Sequence, residues 1–339
     1  MSPKRGSEYA LPLAKYRELK AEVERAGLFQ RTYFEHISIF LLTLLGLGVV
    51  AYVVILTDSL AVQIANGVLA GFLTVQLGLI GHDLSHQGVF KDARANTFWA
   101  VLVWGLGCGL SESRWYQKHN AHHKAPNHIG HDPDVEIPFV FEHEQAIARS
   151  AFQQHFLFPY QHILFWVGVW FVYPHNLRLS ITHLFGNLTW RAGIELILMA
   201  IHFIVLIKFT LLFLPPLVAG IFTLSVILAT GVYMALIFAP NHKGEDMLEV
   251  DKEHNWVHQI TLSRNITPSF ITSYIFGGLE CQIEHHLFPT MSRFHYVKAR
   301  QVVRRFCAMH HIPYHETSWL DSLQLIHEGL RDEAKHWQQ

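Results

Sequence analysis

Hydrophobic residues in this chain come in long charge-free runs, not in the alternation of strands or the narrow stripes of soluble helices. Ile37–Leu56 runs for 20 residues, Leu60–Ile80 for 21 and Leu217–Ala239 for 23. Leu196–Leu214 runs for 19, interrupted only by Lys208 near its far end, where a long side chain can snorkel. About 20 apolar residues cross a bilayer as a helix, so four spans are predicted. Thr57-Asp58-Ser59 and Pro215-Pro216 are turn sequences that pair the spans as two hairpins. The expected fold is all-α, an integral-membrane four-helix bundle.

Two further apolar segments are ambiguous. Thr97–Leu110 has only 14 residues. Ser150–Leu177 has 28 without a charge, but Gln153, Gln154, His155, Pro159, Gln161 and His162 break up its first half. Histidine clusters on either side of these segments serve one site only if an even number of crossings separates them. Both segments are therefore expected to lie in the interface or to dip in and return. Lys and Arg give an independent check: 7 fall before the first span, 8 in 81–193 and 10 after Ala239, leaving only Lys208. The positive-inside rule then places both termini and every histidine cluster in the cytoplasm.

Composition narrows the class further. Half of the residues are hydrophobic and 16% are charged, against roughly 25% charged in soluble domains. Mean hydropathy is +0.20. A net charge of −1 gives no reason to expect nucleic acid as a partner. Cys108, Cys281 and Cys307 form no Cys-x-x-Cys pair, which fits a reducing compartment. The first 36 residues are polar, do not read as a secretory signal, and place Leu13, Tyr16, Leu19 and Val23 at helical spacing. They are expected to form an amphipathic helix leading into a membrane domain over 37–310, with a helical tail over 311–339 closing on the site.

Chemistry is concentrated in histidines just outside the spans. His82 and His86 follow the second span, His119, His122 and His123 lie beyond it, His242 sits at the exit of the last span, and His285 and His286 come later. Spacings of three and four put side chains on one helix face, and imidazole suits iron, copper, nickel and zinc. Eight histidines supply two metals with about four each. Thiolate ligands are absent, which disfavours a Cys-rich structural zinc site. Soluble di-iron bundles use paired Glu-x-x-His motifs, and only Glu333 to His336 has that form here. All-histidine ligation beside apolar helices points instead to iron and oxygen chemistry on a lipid-like substrate.

The spacing His-x3-His, His-x2-His-His and Gln-x2-His-His closely resembles the membrane fatty acid desaturases. The surrounding words fit as well: Gly81-His82-Asp83, Lys118-His119-Asn120, Pro126-Asn127, Asp132-Pro133-Asp134 and Leu287-Phe288-Pro289. The third box, beginning at Gln282, looks like that of the front-end group, which places double bonds between an existing one and the carboxyl end. The resemblance runs from about 36 to 310. It implies a four-span bundle whose cytoplasmic cap holds two non-haem irons on His82, His86, His119, His122, His123, His242, His285 and His286. It also implies O2 as co-substrate and an acyl-lipid or acyl-CoA substrate. Many front-end members carry a fused haem domain with a His-Pro-Gly-Gly motif. That motif does not occur here, so a separate ferredoxin or small cytochrome with its reductase is expected to supply electrons.

Other readings remain beside this one. A related hydroxylase or ketolase of lipid or carotenoid would keep oxygen in its product. A metal transporter would place ionisable ligands inside its spans near the midplane, where this chain has almost none. Asp83, Asp132 and Asp134 are candidates to orient ligating imidazoles, with helix capping as the plain alternative. Gln282 stands where other members have histidine and is expected to act through water or as a hydrogen-bond donor beside the metal. His128 and His131 are expected at the surface or behind the ligands. His155, His162, His175, His183 and His202 read as packing or capping residues, and His310 and His311 as solvent-facing. Gln63, Asn66 and Gln76 inside the second span are expected to bond neighbouring helices.

Overall fold

The computed structural model describes residues 9–137, 140 and 149–337, and it is predominantly helical. In chain order the α-helices are α1 (Leu13–Arg25), α2 (Tyr33–Leu56), α3 (Leu60–Ser85), α4 (Ala93–Leu102), α5 (Glu112–Lys124), α6 (Gln161–Gly168) and α7 (Val172–Gly186). They continue as α8 (Trp190–Phe213), α9 (Pro216–Phe238), α10 (His258–Thr261), α11 (Phe270–Phe276), α12 (Gln282–Leu287), α13 (Tyr296–Met309) and α14 (Trp319–Trp337). Strands β1 (Asn265–Ile266) and β2 (Glu316–Thr317) form a short parallel pair.

Five described stretches are long and apolar enough to cross a membrane. Four are the predicted spans, at α2, α3, α8 and α9. The fifth is Gln153–Gly186, which overlaps Ser150–Leu177, the segment expected to lie in the interface or to dip in and return. It is not one smooth helix. A π-helical turn at Gln153–Leu157 and 3-10 turns at Phe158–Tyr160 and Val169–Phe171 interrupt it. Pro159 sits in the first of those 3-10 turns, where its missing N–H breaks the α-helical ladder. Thr97–Leu110 falls short of a span, as predicted: α4 ends at Leu102 and a π turn over Val103–Gly107 follows.

By its contacts the chain divides into two interleaved compact units. The first is drawn from Arg31–Gln117 and Trp170–Ala235. Within it α2 and α3 pack as the first hairpin, closed by Gln63, whose Nε2 donates to Val53 O at 3.1 Å and Thr57 O at 2.7 Å. Asn66 Nδ2 donates to Val50 O at 3.0 Å, and Gln76 Nε2 donates to the Tyr233 hydroxyl at 2.7 Å. All three amides thus bond neighbouring elements, which is how a polar side chain is tolerated in hydrocarbon. Gly67 and Gly71 lie against α9: a Cβ on Gly71 would come within 2.9 Å of Val226 O. This small-xxx-small pair lets two helix backbones approach closely. Trp104, Leu77, Ile80, Leu84, Cys108 and Tyr173 form the apolar core around the end of α3.

The second unit is drawn from Met1–Gln30, Lys118–Val169 and Leu236–Gln339. The predicted stripe on α1 exists, and Leu19 and Val23 are wholly buried against Ala299, Val303 and Phe306 of α13. Leu13, at the open end of the stripe, is exposed. The C-terminal α14 packs along α6, and its Trp319 Nε1 donates to Leu236 O at 3.1 Å. Arg264 is fully buried and ties the segment after α9 to α14. Its Nε donates to Pro240 O at 2.5 Å, Nη1 pairs with Glu245 at 2.6 Å, and Nη2 donates to Lys243 O.

Candidate metal centre

Six of the eight predicted histidines converge within the second unit. They arrive on three segments: α5 carries His119, His122 and His123, the turn after α9 carries His242, and α12 carries His285 and His286. His122 Nε2 and His286 Nε2 each lie 3.2 Å from His242 Nε2. His119 Nε2 lies 3.0 Å from His123 Nε2, and the ring of His123 is 4.6 Å from that of His285 and 4.3 Å from that of His286. Side chains separated by more than a hundred residues thus point their distal nitrogens at one another.

The proximal nitrogens are held from behind. His122 Nδ1 lies 2.8 Å from a carboxylate oxygen of Asp132, which must accept, so the proton sits on Nδ1. Asp132 is fixed in turn, since it accepts from the backbone amides of Asn127 and Asp134, each at 2.8 Å. His286 Nδ1 lies 2.9 Å from Gln259 Oε1, and Gln259 Nε2 donates to His123 O at 2.9 Å. That second bond orients the amide, so His286 also carries its proton on Nδ1. His285 Nδ1 meets the Tyr296 hydroxyl at 3.1 Å.

This tautomer assignment tests whether a metal fits. The Nε2 lone pairs of His122 and His286 both face His242 Nε2, which carries one proton at most. Three converging imidazole nitrogens, two of them on rings with pinned far sides, are what a divalent ion needs and what a neutral protein interior does not favour. Burial, followed by the neighbouring His122, pushes the His242 imidazole well below its ordinary value, which keeps a lone pair on the ring. Burial acts in the same direction on His122, but the charge and hydrogen bond of Asp132 together with the charge of Asp134 outweigh it, and its proton affinity is raised. His122, His242 and His286 form one group of donors close enough to share an ion.

The backbone at these histidines is held in place as well. Asn127, at a left-handed φ of 52°, donates from Nδ2 to His242 O at 2.9 Å. Arg264 holds Pro240 O and Lys243 O on either side of His242. The turn into α12 needs Gly278, at φ 92°, because a Cβ there would lie 2.6 Å from Arg293 Cβ. Glu284 is wholly buried and accepts from Asn265 Nδ2 at 2.8 Å and the Tyr314 hydroxyl at 2.9 Å. Burial pushes its carboxyl up to about 7 despite those bonds. Gln282 accepts from Asn241 Nδ2 at 3.1 Å, which turns its own NH2 toward His242 Nε2 at 2.9 Å and His286 Nε2 at 3.1 Å.

His82 and His86 lie in the first unit, where α3 continues to Ser85 as predicted. Their ring centroids are 4.6 Å apart, and Trp115 stands at 5.4 Å from one and 5.9 Å from the other. Asp83 sits between His82 Nδ1 at 3.4 Å and His36 Nε2 at 3.1 Å. Gly81 precedes His82 because a Cβ would lie 2.9 Å from Trp104 Nε1. Trp104 Nε1 donates to Ser85 Oγ at 3.3 Å, and Ser85 Oγ donates to Glu112 at 3.2 Å. Arg191 bridges Glu112 at 2.5 Å and Glu195 at 3.3 Å, and burial raises the Glu112 carboxyl's proton affinity. This buried network was not foreseen, because Ser85, Glu112, Arg191 and Glu195 belong to no shared motif.

Other predicted residues behave plainly. Asp134 pairs with Lys118. His128 Nε2 bonds Glu249 O at 3.1 Å, and His131 is exposed. His202 Nδ1 donates to Leu106 O at 2.8 Å and so serves packing.

Apolar helices of spanning length, with clustered imidazoles pinned at their far nitrogens, make this a membrane protein carrying histidine clusters suited to metal. The fatty acid desaturase family matches residues 59–318, and the chain belongs to it. It is 31% identical over 93% of its length to a Delta(8)-fatty-acid desaturase of Euglena gracilis, covering 76% of that protein. It is 29% identical over 91% to Delta(8)-fatty-acid desaturase 2 of Arabidopsis thaliana, covering 72%. It is 28% identical over 94% to an acyl-lipid (9-3)-desaturase of Borago officinalis, covering 74%. The chain is an oxidoreductase of lipid metabolism, a fatty acid desaturase.

Proposed function

We propose that this desaturase uses two non-haem irons and O2 to place a cis double bond between an existing double bond and the carboxyl end of an acyl chain. The irons are assigned to His82, His86, His119, His122, His123, His242, His285 and His286. The observation that carries the assignment is the convergence of His122, His242 and His286 Nε2 atoms while Asp132 and Gln259 hold the opposite nitrogens. The front-end position is supported by Gln282 in the third box and by relatives named for Delta(8) and Delta(6) desaturation.

When bound, the metal pair supplies oxygen activation and the removal of hydrogen from unactivated methylenes. The protein's residues do the rest. Asp132 and Gln259 fix ring orientation and tautomer, and Tyr296 orients the His285 ring. Arg264 and Asn127 hold the His242 turn, and burial of the cluster excludes water. The fold assigned to this function is a four-span bundle over 37–310, flanked by 1–36 and 311–339, with the histidines and both termini in the cytoplasm. Electrons come from a separate ferredoxin or small cytochrome with its reductase, and the substrate is an acyl-lipid or acyl-CoA.

Lipid profiling by gas chromatography tests this reading in cells that express the protein, supply an electron donor and are fed defined fatty acids. A new double bond on the carboxyl side of an existing one is expected. Oxygen retained in the product, or a double bond placed only toward the methyl end, would overturn the corresponding part.

A further inference from the structure

Helix α2 turns most of its surface outward. Its buried residues are His36, Thr43, Val50 and Val54, which recur at helical spacing and mark one seam along the helix. Thr43, Val50 and Val54 suit a seam against α3, the helix that α2 packs with in the first hairpin. His36 does not. An imidazole only 3% exposed, in a helix of spanning character, needs a reason. It stands in the first turn of α2, and Asp83 stands in the last turn of α3. The hairpin brings those two ends level.

Both nitrogens of the His36 ring meet oxygen. Nδ1 donates to Thr32 O at 2.8 Å, because a carbonyl can only accept. Nε2 lies 3.1 Å from Asp83 Oδ2. With the Nδ1 proton already placed, a neutral ring would set a bare Nε2 against a bare carboxylate, lone pair to lone pair. The contact is attractive only if one further proton lies between Nε2 and Oδ2, so Asp83 and His36 together form a neutral buried pair. The other carboxyl oxygen, Oδ1, faces His82 Nδ1 at 3.4 Å. A histidine that only capped α2 would bond Thr32 and leave Nε2 to water. This one is aimed at the carboxyl behind an assigned metal ligand.

We propose that His36 is a positioning residue for the metal centre: it fixes the Asp83 carboxyl and, through it, the His82 ring, leaving Nε2 of His82 as the donor. The inference rests on the assignment of His82 as a metal ligand. It adds a histidine that lies outside every box to the groups on which the site depends. Asp132 and Gln259 hold His122 and His286 directly from behind. At His82 the carboxyl is itself held, by a ring from the neighbouring helix. Without His36 the Oδ2 side of Asp83 loses this hold, and the His82 ring facing Oδ1 turns more easily.

The test strips the full chain of metal in phospholipid nanodiscs and titrates cobalt(II), whose visible absorption reports each site as it fills. His36→Leu suits a helix as apolar as α2, and size-exclusion chromatography selects the folded protein. It is expected to weaken one cobalt step about tenfold or more and to leave the other unchanged. His36→Gln, whose amide can still donate to Asp83, is expected to weaken the same step less, and it carries the comparison if His36→Leu fails to fold. In an Asp83→Asn background either substitution is expected to add nothing, because His36 acts through that carboxyl. A residue that only packs the hairpin would lower the unfolding temperature without this dependence. Unchanged cobalt affinity in the folded variants, an equal loss at both steps, or the same loss with and without Asp83→Asn overturns the proposal. His82→Ala separates the two readings. Cobalt uptake indifferent to His82 overturns its assignment as a ligand, whereas uptake that needs His82 but ignores His36 overturns this inference alone.

Discussion

Asp132 accepts a hydrogen bond from His122 Nδ1 at 2.8 Å while its backbone surroundings leave it no freedom to turn. A buried carboxylate in this position sets the tautomer of one ring and, through it, the direction of one donor nitrogen. Groups that orient a ligating histidine typically matter for metal affinity by about 10–100-fold when removed. Asp132→Ala is therefore expected to weaken metal retention by about that factor. Titrating metal back into stripped protein checks it. Asp132→Asn, which keeps an acceptor for Nδ1, is expected to lose less. Equal metal affinity in the Asp132→Ala protein and the unaltered chain would show that Asp132 only caps a turn.

Arg264 has no exposure, and its partner Glu245 is largely buried. Removing one member of such a pair leaves an uncompensated charge and costs about 3–5 kcal/mol. Arg264→Met is expected to lower the unfolding temperature markedly in detergent, and to lower metal occupancy because Pro240 O and Lys243 O lose their common donor. A normal unfolding temperature would contradict this.

Gly71 and Gly78 lie seven residues apart on α3 and should respond differently. A Cβ at Gly71 would meet backbone of α9 at 2.9 Å, whereas one at Gly78 would meet Cys108 Sγ at 3.7 Å, an ordinary contact. Gly71→Leu is expected to abolish a monodisperse peak in size-exclusion chromatography, and Gly78→Ala to leave it intact. The same behaviour from both variants would remove the close helix crossing from the account.

The network at Arg191 makes a directional prediction as well. Arg191→Met strands two buried carboxylates, Glu112 and Glu195, while Glu112→Gln keeps an acceptor for Ser85 and removes only one charge. Arg191→Met should destabilise more. Thermal unfolding of the two variants side by side checks the order.

How much of this was legible beforehand follows from the kind of signal each feature leaves. Charge-free runs gave α2, α3, α8 and α9, because hydrocarbon excludes charge over a fixed length. Ser150–Leu177 is expected at the interface because Pro159 and its neighbouring glutamines and histidines leave it ambiguous and the histidine clusters on either side require an even number of crossings. Those same residues sit in a helix broken by π and 3-10 turns. The histidines stood out because ligand spacing is local to one turn of helix, and Asp132 was found beside them in a short word. Gln259, Tyr296, Tyr314 and Arg264 left no signal: each is a single residue whose partner is distant in sequence or is a backbone carbonyl. Asn127 was visible only as part of a word, without its reason, which is a left-handed turn that bonds His242 O.

The most direct measurement is the metal content of the purified full chain, by elemental analysis, alongside His122→Ala, His242→Ala and His286→Ala. Two irons per chain are expected in the unaltered protein, with a marked loss in each variant and no change in a His131→Ala control. Iron at background level in protein prepared with iron supplied, or full occupancy after any of the three substitutions, would contradict the assignment of these imidazoles to the metal.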